Sequence, residues 1–232
     1  MNKKKIVVLT GAGVSAESGI KTFRDSDGLW ENYRVEEVAT YDAWLSNPSL
    51  VLDFYNQRRR QLATAQPNKA HYALVSLEQK FDVQIITQNV DDLHERAGST
   101  NVLHLHGELV KARSTMEEDL VYTIGYKDIN SGDLCEKGHQ LRPHIVWFGE
   151  AVPMIERAAR ITSEADILLI IGTSLMVYPA AGLLHYAPPE SRKFAIDPKS
   201  LPVERTPNLT IIRKNAGEGV SEIAELLLNE IE

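Results

Sequence analysis

Leu9-Thr10-Gly11-Ala12-Gly13-Val14-Ser15-Ala16-Glu17-Ser18-Gly19-Ile20 follows an apolar, strand-like run at residues 5–9. A strand that runs into a turn of small residues and then a helix is the opening of a dinucleotide site. Small residues let the backbone approach a pyrophosphate, and the exposed N–H groups at the start of the helix favour the anion. Gly11, Gly13 and Ala16 fit the permissive G-x-G-x-x-A spacing. A strand-to-helix turn with no ligand at all fits the same letters.

Working outward, short apolar runs at 83–87, 102–105, 144–148, 167–171, 193–196 and 209–212 read as further strands. Most are continuously apolar rather than alternating, as in a parallel sheet covered on both faces. Helical patterns lie between them at 48–65, 68–81, 91–97 and 219–231. Asn68 is placed as an N-cap and Gly98 as a C-terminal glycine. The alternation predicts an α/β fold with a doubly wound parallel sheet and right-handed crossovers. Residues 30–79, almost wholly helical, and 108–141, polar and irregular, break the alternation. They read as two insertions that form a smaller unit: 1–30, 80–107 and 142–232 make the main domain, and 31–79 with 108–141 the small one.

The composition bounds the function. The chain has 232 residues, 43% hydrophobic and 25% charged, an ordinary globular balance. The net charge of −7 disfavours sequence-independent nucleic-acid binding and suits cationic segments such as lysine-rich peptides. Apolar runs fall far short of the roughly 20 residues that span a bilayer. Lys3-Lys4-Lys5 precedes too short an apolar stretch for a signal peptide. A single cysteine, Cys135, excludes an internal disulfide framework and a four-thiolate zinc site. A cytoplasmic protein without membrane or nucleic-acid partners is expected.

Four stretches carry chemistry. In Thr87-Gln88-Asn89-Val90-Asp91-Asp92-Leu93-His94, amide and carboxylate groups stand at a strand's carboxyl end, where ligands of open sheets bind. A polar helix cap fits Asp92 and His94 better. In Val102-Leu103-His104-Leu105-His106-Gly107, both histidines point to one face, and His106 at the end is favoured as a base over His104. The strand leading to Phe148-Gly149-Glu150 and the turn Gly172-Thr173-Ser174 complete the set.

Gly11-Ala12-Gly13-x-Ser15-x-x-Ser18-Gly19-Ile20, Phe23-Arg24, Gln88-Asn89-x-Asp91-x-Leu93-His94, His106-Gly107, Phe148-Gly149-Glu150 and Gly172-Thr173-Ser174 occur in the order seen in sirtuins. The chain resembles that family over nearly its whole length. The resemblance implies a Rossmann-like core beside a helical module and a zinc ribbon, with the reaction pocket between them. It implies an NAD-dependent protein-lysine deacylase that consumes NAD and yields nicotinamide, O-acyl-ADP-ribose and free lysine. His106 then matches the general base, and its ordinary pKa near 6.5 suits that task. Asn89 and Asp91 match the nicotinamide end, with Asn89 also catalytic, and Gln88 matches a ribose contact. Gly11, Ala12, Gly13, Glu17, Thr22, Phe23, Arg24, Trp30, Val90, Gly172, Thr173, Ser174, Ala195, Asp197 and Ala216 complete the cofactor contacts. Val146, Phe148, Gly149, Glu150 and Val177 match the acyl-lysine tunnel and a peptide-pairing edge. Tyr55 and Arg58 match the Tyr-x-x-Arg pair of sirtuins that remove acidic acyl groups. A planar guanidinium and a hydroxyl three residues apart on a helix suit a carboxylate, so desuccinylation or demalonylation beside deacetylation is expected.

The chain departs from the family twice. The region of the first Cys-x-x-Cys pair reads Lys111-Ala112-Arg113-Ser114-Thr115-Met116-Glu117, and the second keeps Cys135 with His139 nearby. Two ligands are too few for a structural zinc, so no metal is expected. Ala195 stands where many relatives place an asparagine, and Asp197 is the candidate to replace it on the ribose. An NAD-dependent oxidoreductase would explain the glycine turn but needs an acidic ribose reader about 20 residues on, where this chain is helical. An ADP-ribosyltransferase and a non-catalytic ADP-ribose-binding module are the other rivals. Retained Tyr55 and Arg58 oppose the first of these, and retained His106, Asn89 and Asp91 oppose the second. A monomer is expected.

Overall fold

A computed structural model describes residues 3–21, 29–30, 33–199 and 206–230. The first strand, β1 (Lys5–Thr10), is followed by a short antiparallel ribbon, β2 (Leu29–Trp30) with β3 (Tyr33–Arg34). Helices α1 (Val35–Val38), α2 (Tyr41–Ser46), α3 (Pro48–Thr64) and α4 (Lys69–Leu77) come next. Then follow β4 (Asp82–Thr87), α5 (Leu93–Ala97), β5 (Val102–His104), β6 (Gly107–Ser114), β7 (Val121–Thr123) and β8 (Leu141–Ile145). The remaining elements are α6 (Ile155–Ser163), β9 (Ile167–Ile171), β10 (Arg192–Ile196), β11 (Leu209–Ile212) and α7 (Ala216–Asn229).

Six strands form one parallel sheet in the order β11-β10-β9-β1-β4-β5. The chain is therefore α/β with a Rossmann-like sheet. β1 shows why its run is continuously apolar. Ile6 and Val8 face one layer with α4 and α7, while Val7 and Leu9 face the other with α6 and the helical turn 180–186. Burying each such side chain contributes about 1.5–3 kcal/mol. α4 falls within the 31–79 segment read as an insertion, yet Ala70, Leu74 and Leu77 belong to the sheet's own core.

A third core joins α1–α3 to a three-stranded antiparallel sheet ordered β7-β6-β8. Here the sequence reading needs correcting. The run 144–148 was expected as a parallel strand; the strand is Leu141–Ile145, and it pairs antiparallel with β6. Its ladder stops because the Phe148 amide turns away to donate to the Ala39 carbonyl at 3.0 Å and the Trp147 amide to Glu150 Oε2 at 2.8 Å. β6 itself was read as irregular. Its charged residues stand on a strand only half covered, with Leu109, Ala112 and Ser114 buried.

Local chemistry sets the helix starts. Asn47 Oδ1 accepts from the Leu50 amide at 3.1 Å with Pro48 in the first turn of α3. Asn68 caps α4 through the Ala70 amide, and its Nδ2 donates to Val14 O at 2.8 Å and Ser18 Oγ at 2.9 Å. That one side chain ties α4 to the glycine turn. α7 begins at Ala216, three residues before the expected start.

Candidate active site

The cleft, about 1290 Å³, opens where the carboxyl ends of β1, β4, β9 and β10 meet β8 and helices α1 and α3. Parallel strands all aim their last residues at one edge, so turns far apart in sequence converge there. Gly11, Ala12, Gly13, Glu17, Gly172, Thr173, Ser174, Asp197 and Ala216 line one end. Gln88, Asn89, Val90, Asp91 and His106 line the middle. Tyr55, Arg58, Val146, Phe148, Gly149, Glu150 and Val177 line the remainder.

At the first end the glycine turn differs from the expectation. It forms two three-residue 3-10 turns, 12–14 and 16–18, and no regular helix. Each is too short for a macrodipole. The Gly11 amide donates to Ile171 O at 3.1 Å and the Gly13 amide to Gly172 O at 2.8 Å, so neither is left for a phosphate. The glycines serve close packing of backbone on backbone: a Cβ on Gly13 would stand 2.6 Å from the Gly172 Cα. Glu17 is also engaged within the protein, its Oε2 accepting the Gly217 amide at 2.6 Å in the first turn of α7. A carboxylate at a helix start is favourably placed, and it joins residues 200 positions apart. Asp197 Oδ1 accepts the Lys199 amide at 2.8 Å. Ala195 is a correction: it lies inside β10 between Ile170 and Ile211, wholly buried in the sheet's second core, whereas Asp197 stands past the strand's end and reaches the cleft. Thr22, Phe23 and Arg24 lie outside the described residues, as does the Trp30 side chain.

In the middle, a chain of side chains fixes the turn after β4. Asn89 Nδ2 donates to Ser15 Oγ at 3.1 Å, and Ser15 Oγ donates to Asp91 Oδ2 at 3.0 Å. Asp91 Oδ1 accepts the Leu93 amide at 3.2 Å. Burial raises the Asp91 pKa, while the Leu93 amide, the Ser15 hydroxyl and the nearby His104 oppose the rise. Gln88 Nε2 donates to Thr173 Oγ1 at 2.9 Å, linking this turn to the other end. His106 Nδ1 is 3.0 Å from Gln88 O. A carbonyl only accepts, so Nδ1 carries the hydrogen and Nε2 the lone pair. Burial lowers the His106 pKa, against the pull of the Gln88 carbonyl, which keeps the ring neutral near pH 7. A neutral imidazole beside a polar pocket can take a proton from a hydroxyl.

At the far end, Tyr55 is wholly buried and Arg58 is 7% exposed, both on one face of α3. Burial raises the Tyr55 pKa, so the phenol stays protonated. Its oxygen accepts Trp147 Nε1 at 3.0 Å, leaving its own hydrogen to donate. The Arg58 guanidinium carbon lies 5.8 Å from the Phe54 ring centroid. Arg142 stacks 3.4 Å above the Trp147 ring and holds Glu150 with two hydrogen bonds, at 2.7 and 3.1 Å. Burial works against the Glu150 charge, yet Arg142 and the Trp147 amide hold its pKa below the usual carboxylate range. Glu150 thus shapes the wall from inside rather than facing a ligand with a free carboxylate. The Phe148 and Glu150 amides donate to Ala39 O and Trp147 O, both at 3.0 Å, so two amides of the expected peptide-pairing edge are already used.

Sequence reasoning missed Ser15, Trp147 and Arg142 as parts of the site. Ser15 was inside the quoted turn, and Arg142 and Trp147 lie within the stretch that ends in Phe148-Gly149-Glu150. Their burial and partners come from contacts far apart in sequence.

The sequence left Cys135 and His139 as the remaining metal-ligand types. Cys135 Sγ is 3.5 Å from Ser114 Oγ, which also accepts the Met116 and Glu117 amides at 3.3 and 3.2 Å. His139 meets this turn through its backbone, its carbonyl accepting the Cys135 amide at 2.8 Å. Among the described residues no three His, Cys, Asp or Glu side chains stand together as a metal would need. One thiol and a hydroxyl occupied by amides do not fit a structural zinc.

Comparison with known proteins places this cleft in context. Residues 11–179 match the model of the Sir2 family. A relative from Bacteroides thetaiotaomicron named NAD-dependent protein deacylase is 52% identical over 230 residues, covering 97% of this chain and 98% of the relative. One of the same name from Helicobacter pylori is 53% identical over 225 residues, with coverages of 97% and 98%. Among solved structures, a Sir2 homolog–NAD complex superposes with a TM-score of 0.89 at 41% identity over 99% of this chain and 91% of that one. A Sir2 complex with a deacetylated p53 peptide and 3'-O-acetyl ADP ribose gives 0.81 at 31% identity, over 98% and 94%.

Proposed function

The chain belongs to the Sir2 family, and from that premise we propose that it is an NAD-dependent protein-lysine deacylase that also accepts acidic acyl groups. NAD supplies the ADP-ribosyl group that receives the acyl chain as the bond to nicotinamide breaks. The products with water are nicotinamide, O-acyl-ADP-ribose and free lysine. Asn89 and Asp91, joined through Ser15, hold the nicotinamide end, and Gln88 reaches the adjoining ribose. Gly11, Ala12, Gly13, Gly172, Thr173 and Ser174 form the phosphate wall, with Asp197 and Ala216 beyond it. Val90 lies beside Asn89. His106 takes a proton from a ribose hydroxyl at Nε2.

The observation that carries this reading is the fixed tautomer of His106 at the rim of the Asn89–Ser15–Asp91 chain. It supports a base aimed into a pocket built for a carboxamide. Val146, Phe148 and Val177 line the lysine passage. At its end the Tyr55 hydroxyl and the Arg58 guanidinium receive a succinyl or malonyl carboxylate.

The same reading extends to organisation. Two insertions, apart from α4, make a small domain held by packing without zinc, and the protein acts as a cytoplasmic monomer on proteins, not nucleic acid. No helix among the described residues is long and apolar enough to cross a membrane. The test is to incubate the protein with NAD and matched acetyl-, succinyl- and malonyl-lysine peptides and weigh the products. Nicotinamide release with O-acyl-ADP-ribose is expected. Reduction to NADH, or label from NAD left on protein, would refute it.

A further inference from the structure

His104 ends β5 on the same face as His106, and both of its ring nitrogens meet acceptors. Nδ1 is 3.0 Å from Asn89 O and Nε2 is 2.8 Å from Glu95 Oε1. A peptide carbonyl has no hydrogen to give, and an ionised carboxylate has none either. Both nitrogens therefore donate, and the ring is an imidazolium. The side chain is 7% exposed, whereas Glu95 is 40% exposed. Together the two histidines clamp successive carbonyls, His106 that of Gln88 and His104 that of Asn89.

We propose that His104 is a positioning residue. Held as an imidazolium by Glu95, it fixes the Asn89 carbonyl and sets a positive charge beside Asp91, keeping the Asn89–Asp91 turn shaped for the nicotinamide end. This rests on the proposed assignment of Asn89 and Asp91. The electrostatics around the ring agree with the geometry. Burial works against the His104 charge, but Glu95, and then Glu108 and the Asn89 carbonyl, raise its pKa above the ordinary value. Burial likewise opposes ionisation of Glu95, yet its bond to His104 brings its pKa down. The groups facing the ring are Glu95 and His94 from α5, Asp91 from the turn after β4 and Glu108 from β6. His94 is kept neutral by burial, so it does not compete for the carboxylates. Once His104 loses a proton, one ring nitrogen ceases to donate and the charge supporting Asp91 disappears. The contribution is therefore present below the raised His104 pKa and lost above it.

The test uses the full chain as wild type, Glu95→Gln and His104→Gln. Nitrogen-resolved NMR of the histidine rings near neutral pH should find both His104 nitrogens protonated. The titration midpoint should fall in Glu95→Gln. With an acetyl-lysine peptide, the NAD KM and the nicotinamide inhibition constant should rise about tenfold in both variants, as expected for losing one charge-assisted hydrogen bond. The peptide KM should not move. A neutral His104 in the wild type, or an unchanged NAD KM in both variants, overturns the proposal. If His104→Gln folds poorly, Glu95→Gln decides, because Glu95 reaches solvent. A wild type that releases no nicotinamide overturns the proposed function instead, while the NMR measurement still decides the state of His104.

Discussion

An imidazole facing a peptide carbonyl has no choice of tautomer, and at His106 this determines where a proton can go. Nδ1 is committed to Gln88 O, and burial lowers the pKa of the ring. A base works only when neutral, so a lowered pKa keeps it active to lower pH. Deacylation measured as kcat/KM against pH should rise through an inflection below 6.5 and be level by neutrality. A rising limb with its inflection above 6.5 would contradict this, whereas the fall expected as His104 loses its proton lies above 6.5 and has the opposite sign. Tyr55 and Arg58 give a second residue-scale expectation. Arg58→Met should lower desuccinylation roughly 30- to 100-fold, the loss of charge-assisted hydrogen bonds to a carboxylate. Deacetylation should persist, and unchanged desuccinylation would remove Arg58 from its role. The resemblance to the Tyr-x-x-Arg class of sirtuins singled this pair out, and both residues do share one face of α3. Trp147, which holds the Tyr55 oxygen, was not legible in sequence, because it reaches Tyr55 from the loop after β8, 92 positions away.

Elements explain which parts of the fold could be read. β9, wholly buried, writes its environment into every residue, so an apolar run announces it. β6 has one face in the third core and the other partly wet, and its Glu108, Lys111 and Arg113 hide the strand. The start of β6 also carries a demand that no periodicity reveals. Gly107 has φ +80°, and a Cβ there would collide with the His144 carbonyl on β8. Gly107→Ala should cost at least about 1–2 kcal/mol from the backbone alone, lowering Tm by several degrees in a thermal melt. Because His106 is the preceding residue, kcat should fall further than stability does. A variant with unchanged Tm and kcat would show that the crossing at β8 yields without strain.

Across the whole molecule, the unit formed by α1–α3 and the β6 sheet is held by apolar packing and by amides on Ser114 Oγ. Prolonged treatment with a strong chelator should leave Tm and activity unchanged, and elemental analysis should find zinc well below one per chain. Loss of folding on chelation would restore a metal to the structure. The missing cysteines carried the expectation of no zinc, but the Ser114 hydroxyl that takes two amides was not legible, because it depends on how the loop closes.

The bond from Glu17 to the Gly217 amide, together with β1 lying between β4 and β9, sets an order of events during synthesis. On a ribosome the glycine turn emerges well before its neighbours Gly172 and Gly217, the latter 200 positions behind Glu17. At about 5–20 residues per second the turn waits roughly ten seconds or more for its last partner. A nascent chain halted before residue 216 would carry nearly every letter of the nucleotide site and still lack a finished one. Binding competence therefore reports that α7 has been made.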